Sequence, residues 1–175
     1  MDVDAAIAHI PRLRRYARVL LGDAARADDL VQDTLERACL KWGLWRPPEA
    51  ASSEAVQKAL RSWLLTLMHN LYANQWQQTG LHRMVEWDEA CSPSHDPTAA
   101  MSLRLDLERA LACLPSQARE VLLLVSMEQF SYAETAAMLD VPIGTVMSRL
   151  ARAREQLRRL MEGERPVAPT LRAVK

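Results

Sequence analysis

Five arginines and a single glutamate fall between Met147 and Arg159. A guanidinium presents two N–H groups that match O6 and N7 of guanine, or two phosphate oxygens. Thr145 and Ser148 stand just ahead, with hydroxyls that bond several bases or phosphate. Gly144, Thr145, Ser148, Arg149 and Arg152 are therefore the candidate base readers. Arg154, Arg158 and Arg159 lie further along and suit phosphate or another protein. An arginine that pairs instead with Glu155 or Glu162 contributes little. A plain helical hairpin with a solvated charged face is the alternative at this point.

Two further stretches carry recognisable chemistry. Asn70, Tyr72, Asn74, Gln75, Trp76 and Gln77 alternate amides with aromatics. That mixture suits unpaired bases, because stacking accepts any base and amides read Watson–Crick edges. Trp63, at helical spacing among leucines, reads as core. Acidic residues gather at Asp23, Asp28, Asp29, Asp33 and Glu36, and again at Glu86, Asp88 and Glu89. Screening limits the reach of charge to about 8–10 Å at physiological salt, so a partner feels these local signs and not the chain's zero net charge.

The elements that must position these residues are helical. Ser131 and Glu134 form an S-x-x-E capping box opening a short helix whose small apolar face is Ala133, Ala136, Ala137 and Leu139. Asp140, Val141 and Pro142 break it, since proline cannot donate inside a helix but fits a helix start. A longer helix follows, with Val146, Leu150 and Leu157 inward. Short helix, tight turn and longer basic helix make a helix-turn-helix. Upstream, Ile10–Leu21 has helical periodicity and ends at Gly22 and Asp23. A second helix is expected to start near Asp28 and Asp29, where carboxylates favour the helix dipole. After the breaker-rich loop Gly43–Ser53, helical pattern resumes from Val56 to Gln78. Residues 86–97, with two prolines and no helical period, read as a linker. Met101–Leu114 and a helix opened by Pro115 precede the helix-turn-helix, and the stretch with Pro166 and Pro169 reads as a frayed tail.

Composition bounds the function classes. The chain has 175 residues, 49% of them hydrophobic, enough for one medium or two small domains. No apolar run approaches the roughly 20 residues of a membrane span, and no secretory core opens the chain, so a cytoplasmic protein is expected. Three widely spaced cysteines disfavour a disulfide framework and read as scattered thiols. His9, His69, His82 and His95 are too dispersed to build a site, and no nucleophile motif or phosphate loop occurs. Neither an enzyme nor a metal or cofactor protein is expected.

Four segments in one order carry a resemblance: ADDLVQDTLERA (27–38), SWLLTLMHNL (62–71), LERALACLP (107–115) and SYAETAAMLDVPIGTVMSRLARAREQLR (131–158). Together they resemble bacterial RNA polymerase sigma factors of the sigma-70 family, extracytoplasmic-function (ECF) group. The resemblance implies an all-α protein of two small helical domains joined by a flexible linker, the second containing the helix-turn-helix. Residues 1–85 would bind core polymerase and the promoter −10 element, 86–100 would be the linker, 101–163 would read the −35 element, and 164–175 would be a tail. It implies that Asp29, Gln32, Asp33 and Glu36 dock on the polymerase β′ clamp helices, with the β flap a further contact. Gly144, Thr145, Ser148, Arg149, Arg152 and Arg154 become −35 contacts. Asn70, at the position associated with a flipped −10 base, becomes a −10 contact with Tyr72, Asn74 and Trp76, and the loop Trp45–Arg61 matches the base-specificity loop. An anti-sigma factor is the further partner implied.

The chain departs from the family pattern in three places. The loop Arg46–Ala59 is longer than usual. Gln77 and Gln78 stand where arginines are common, and Met147 where many members have a basic residue. A stand-alone helix-turn-helix regulator with a helical sensing domain is the competing reading; it leaves the acidic helix and the amide–aromatic helix without a role.

Overall fold

A computed structural model describes residues 3–49, 51–78 and 99–162. Among the described residues eight α-helices follow in order: α1 (Val3–Ile7), α2 (Ile10–Leu21), α3 (Ala24–Lys41), α4 (Ser53–Gln78), α5 (Ala99–Ala112), α6 (Ser116–Ser126), α7 (Tyr132–Leu139) and α8 (Ile143–Met161), with a 3-10 turn at Trp42–Leu44. No strand occurs among the described residues. The fold is all-α, as expected.

Helix ends follow local chemistry. Pro11 sits in the first turn of α2, where its missing N–H costs nothing. Gly22 closes α2 at φ +70°, its N–H donating to the Arg18 carbonyl at 2.8 Å. That left-handed conformation favours glycine. The Asp23 carboxylate then accepts from the Arg26 N–H at 2.9 Å. This cap starts α3 at Ala24, earlier than the Asp28 start expected from charge placement. The sequence pattern located the acidic residues and missed the stronger signal, a side chain that satisfies an orphan amide.

α2, α3 and α4 bury Leu13, Tyr16, Leu20, Leu30, Leu60, Leu64 and Met68 together. α6, α7 and α8 bury Val121, Leu124, Met138, Val146 and Leu150. Within α7 the buried side chains are Thr135, Met138 and Leu139. Ala133 and Ala137 face out, so the expected alanine face is rotated: longer side chains won the interior because they remove more apolar area from water.

The two helical sets share one continuous hydrophobic core. α2 packs on α5 and α6, and α4 packs on α7. Of the linker expected at 86–100, only Ala99 and Ala100 are described, and both lie in α5; the rest and the tail expected at 164–175 lie outside the described residues. Cys39 is a free, exposed thiol. Cys113 is disulfide-bonded, against the expectation of scattered thiols. No described helix is long and apolar enough to cross a membrane.

Candidate nucleic-acid and partner interfaces

The helix-turn-helix is built as its local sequence dictates. The Ser131 hydroxyl accepts from the Glu134 N–H at 3.2 Å while the Glu134 carboxylate accepts from the Ser131 N–H at 2.8 Å. Asp140 closes α7 at φ +51°, and the Val141 N–H donates to the Ala136 carbonyl at 3.1 Å. Aspartate is one of the few residues that tolerate this left-handed turn. Pro142 at φ −58° then starts α8. Val146, Leu150 and Ala153 are buried, which fixes the rotation of α8 about its axis. Gly144, Ser148, Arg152 and Arg154 are exposed as a result, and Thr145 and Arg149 are half-buried on one flank.

The arginines of α8 divide into two groups. Arg158 pairs with Glu155 at 3.0 Å and with Glu162, and Arg159 pairs with Glu155 at 2.8 Å. Together Arg158 and Arg159 hold the Glu155 carboxyl down to about 2. Their charge is largely spent within the helix. Arg149, Arg152 and Arg154 form no ion pair among the described residues. The free cationic face is thus the N-terminal two-thirds of α8, the end that a helix-turn-helix presents to base edges.

The amide–aromatic helix is only partly as expected. Asn70 and Asn74 are exposed, one turn apart on α4. Tyr72 is 5% exposed. It faces inward among Tyr16 and Arg119, whose ionisation it influences. Two residues on from Asn70, it lies on the opposite side of the helix. Tyr72 as a nucleic-acid contact is therefore corrected to a core residue. The Trp76 side chain lies outside the described residues. Trp63 does not sink into the core alone: it meets Trp42 edge-on at 5.9 Å and Trp45 at 6.4 Å between ring centroids. This cluster pins the start of the loop after α3. The Arg46 guanidinium donates to the carbonyls of Gly43 at 2.6 Å and Trp45 at 3.0 Å. A cleft of about 520 Å³ opens between that loop and α4, lined by Trp45, Arg46, Ser62, Trp63 and Thr66. Ser62, Thr66, Asn70 and Asn74 follow at four-residue spacing, so the cleft and the two asparagines share one side of α4.

Asp29, Gln32, Asp33 and Glu36 are all exposed along α3. The Gln32 amide donates to the Glu36 carboxylate at 3.2 Å. Beside them a groove of about 680 Å³ runs between α2 and α3, lined by the apolar Ile10, Val31, Leu35 and Leu40 together with Arg14, Asp28, Asp29 and Glu36. Leu40 and Leu44 continue the apolar surface at 83% and 76% exposure. Apolar residues with three carboxylates and one guanidinium line it, a mixture that suits an amphipathic helix of net basic charge.

Between the two helical sets lies a charged seam that the sequence did not announce. The Glu128 carboxylate is fully buried and takes the Arg12 guanidinium at 2.6 Å, with Arg61 at 3.7 Å. Arg61 also lies 5.3 Å over the Phe130 ring, and burial lowers its pKa. Lys58 pairs with Glu134 at 2.6 Å, and His69 Nδ1 lies 2.7 Å from Glu120. Arg119 donates to the carbonyls of Leu20 at 2.7 Å and Leu114 at 3.0 Å. A cation there completes two helix ends at once. An acidic residue between Met127 and Phe130 was the only sequence signal for this seam.

Comparison with known proteins bears on both helical sets. Residues 104–157 match the family model described as Sigma-70, region 4, and residues 7–69 match the Sigma2 domain of PhyR. The chain is 35% identical to the ECF RNA polymerase sigma factor EcfG of Rhodopseudomonas palustris, covering 98% of this chain and 93% of the relative. It is 33% identical to the ECF RNA polymerase sigma factor SigM of Mycobacterium tuberculosis, covering 87% of this chain and 73% of that one. Among solved structures it is similar to the sigma factor RpoE of Bartonella quintana, solved in complex with the anti-sigma factor NepR. That match has a TM-score of 0.67 and 31% identity, covering 91% of this chain and 95% of the other.

Proposed function

This chain belongs to the ECF group of the sigma-70 family, the factors that direct RNA polymerase to promoters, and from that premise we propose how its surfaces divide the work. The domains are proposed as residues 1–85 for core polymerase and the −10 element and 101–163 for the −35 element. The exposed acidic face of α3, Asp29, Gln32, Asp33 and Glu36, docks on the basic β′ clamp helices. The adjoining groove takes their nonpolar side, and the exposed carboxylates of α3 steer the approach. The β flap is the second polymerase contact, made by the C-terminal set.

α8 enters the major groove of the −35 element. Arg149 and Arg152 read base edges together with Gly144, Thr145 and Ser148, while Arg154 grips phosphate. At the −10 element Asn70 and Asn74 contact an unpaired base, and the cleft beside Trp45 and Trp63 receives it. Extruding that base costs a few kcal/mol, which stacking and hydrogen bonds offset. An anti-sigma factor is the regulatory partner, on the analogy of the similar Bartonella factor bound to NepR.

The observation that carries this reading is a division of charge. One chain exposes an acidic helix face on α3 and a basic face on the front of α8, while Glu128, Arg12 and Arg61 pair in the seam between the helical sets. A stand-alone regulator has no use for the first. Run-off transcription with core polymerase on a genomic library tests it. The expected result is start sites sharing spaced −35 and −10 elements. Absence of core-polymerase binding in a pull-down would refute it.

A further inference from the structure

α8 exposes two large apolar side chains in its first turns, just ahead of its arginines. Ile143 is 50% and Met147 is 52% exposed. They lie four residues apart, so they stack along one flank of the first turns. Inward positions are already filled by Val146, Leu150 and Ala153, so neither supports the core. The neighbours on this side, Gly144, Ser148 and Ala151, are small and exposed.

Gly144 adds a second, independent observation. It is the second residue of α8, at a helical position that alanine also adopts and where glycine gives up more chain freedom. A Cβ at this position would meet nothing within 4 Å, and its φ is not in the left-handed region. Nothing inside the molecule requires a glycine here. A bare backbone on an exposed recognition face suits close approach by something outside it.

The hydrogen-bonding side chains nearby leave a gap at the same place. The Ser148 hydroxyl donates backward to the Thr145 carbonyl at 3.1 Å. Arg158 and Arg159 are held by Glu155 and Glu162. Ser148 keeps only its acceptor capacity toward a base, and the free donors of this face are carried chiefly by Arg149 and Arg152. The C5-methyl of thymine is the apolar group that base pairs present in the major groove.

We propose that Met147, flanked by Ile143 and beside the bare backbone of Gly144, packs on a thymine C5-methyl in the −35 element and makes recognition depend on that methyl. Met147 is then a specificity-determining residue, not a vacancy left by a missing cation. This rests on the reading that α8 enters the −35 major groove. A methionine suits the task because its flexible thioether fits an apolar contact without fixed geometry.

The test uses full-length protein with core polymerase and promoter duplexes recovered by run-off transcription. Each −35 thymine, on either strand, is replaced singly by uracil, which removes only the methyl. For the unaltered protein, one replacement lowers affinity about 4-fold, the worth of one buried methyl-sized group. Met147→Ala binds the thymine and uracil duplexes equally. Gly144→Ala raises thermal stability yet weakens binding. If no uracil substitution changes affinity while Arg152→Ala still lowers it, the methyl contact is overturned and the groove reading stands. If neither uracil nor Arg152→Ala has an effect, the groove reading falls and the methyl contact with it.

Discussion

The seam between the helical sets and the two exposed faces use the same residue types to opposite ends. In the seam, Glu128 is fully buried between Arg12 and Arg61. On α3 and on the front of α8, carboxylates and guanidiniums stand in water. A buried charge without its partner is costly, so the seam charges must be satisfied internally. An exposed charge costs little to leave alone and stays available. The buried pairs join the two helical sets, while the exposed faces of α3 and α8 keep their charge at the surface.

The sharpest way to break this comparison is Arg12→Ala. It leaves the Glu128 carboxylate buried with only Arg61, at 3.7 Å, for a cation. We expect a loss of about 3 kcal/mol, the lower end for a broken buried pair because Arg12 is partly exposed. The urea midpoint measures it, and a change under about 0.5 kcal/mol would mean the seam is not structural. Charge reversal at Asp29 and Asp33 together comes next. It should weaken core-polymerase binding by several kcal/mol, with less effect at high salt, and leave the urea midpoint nearly unchanged. Unaltered polymerase affinity would remove the clamp assignment.

Arg152→Ala should weaken −35 binding by about 1–3 kcal/mol and relax base preference at one position. Arg158→Ala, which removes an exposed intrahelical pair, should change both stability and DNA affinity by less than about 1 kcal/mol. Equal effects of the two substitutions in promoter binding would erase the division of the α8 arginines.

The smallest effect is a pH dependence. Lys58, and then the Ser131 backbone N–H, hold the Glu134 carboxyl down to about 2 from an ordinary 4.5. A depressed folded-state pKa stabilises above the unfolded value and loses that contribution as pH falls through the folded one. The difference between the natural protein and Lys58→Met should therefore be full at pH 7 and shrink between about pH 4.5 and 2. Acid titration of the two proteins, followed by circular dichroism, measures it; a difference that persists at pH 2 would point to packing by the lysine stem instead.

How much was legible in advance depended on the range of each interaction. The capping box at Ser131 and Glu134, the Gly22 stop and the proline before α8 act over a few residues, and all three stand as read. Exposure of Asn70, Asn74 and the acidic α3 residues followed from helical period. Tyr72 did not, because aromatic and amide residues at successive positions look alike in composition while their directions differ by helical rotation.

The sequence by itself determined the helices, most of their ends and the chemistry of their outward faces, because those depend on neighbours within a turn or two. Tertiary structure alone decided the seam. Arg12 and Glu128 are 116 residues apart, and His69 and Glu120 are 51 apart. No local pattern distinguishes a carboxylate that will be buried between two guanidiniums from one left in water; only the packing of α4 on α7 and of α2 on α5 and α6 does. Tyr72 likewise left solvent through tertiary packing, and the packing of α8 on α6, α7 and α5 set the rotation that leaves Gly144, Met147 and Arg152 exposed.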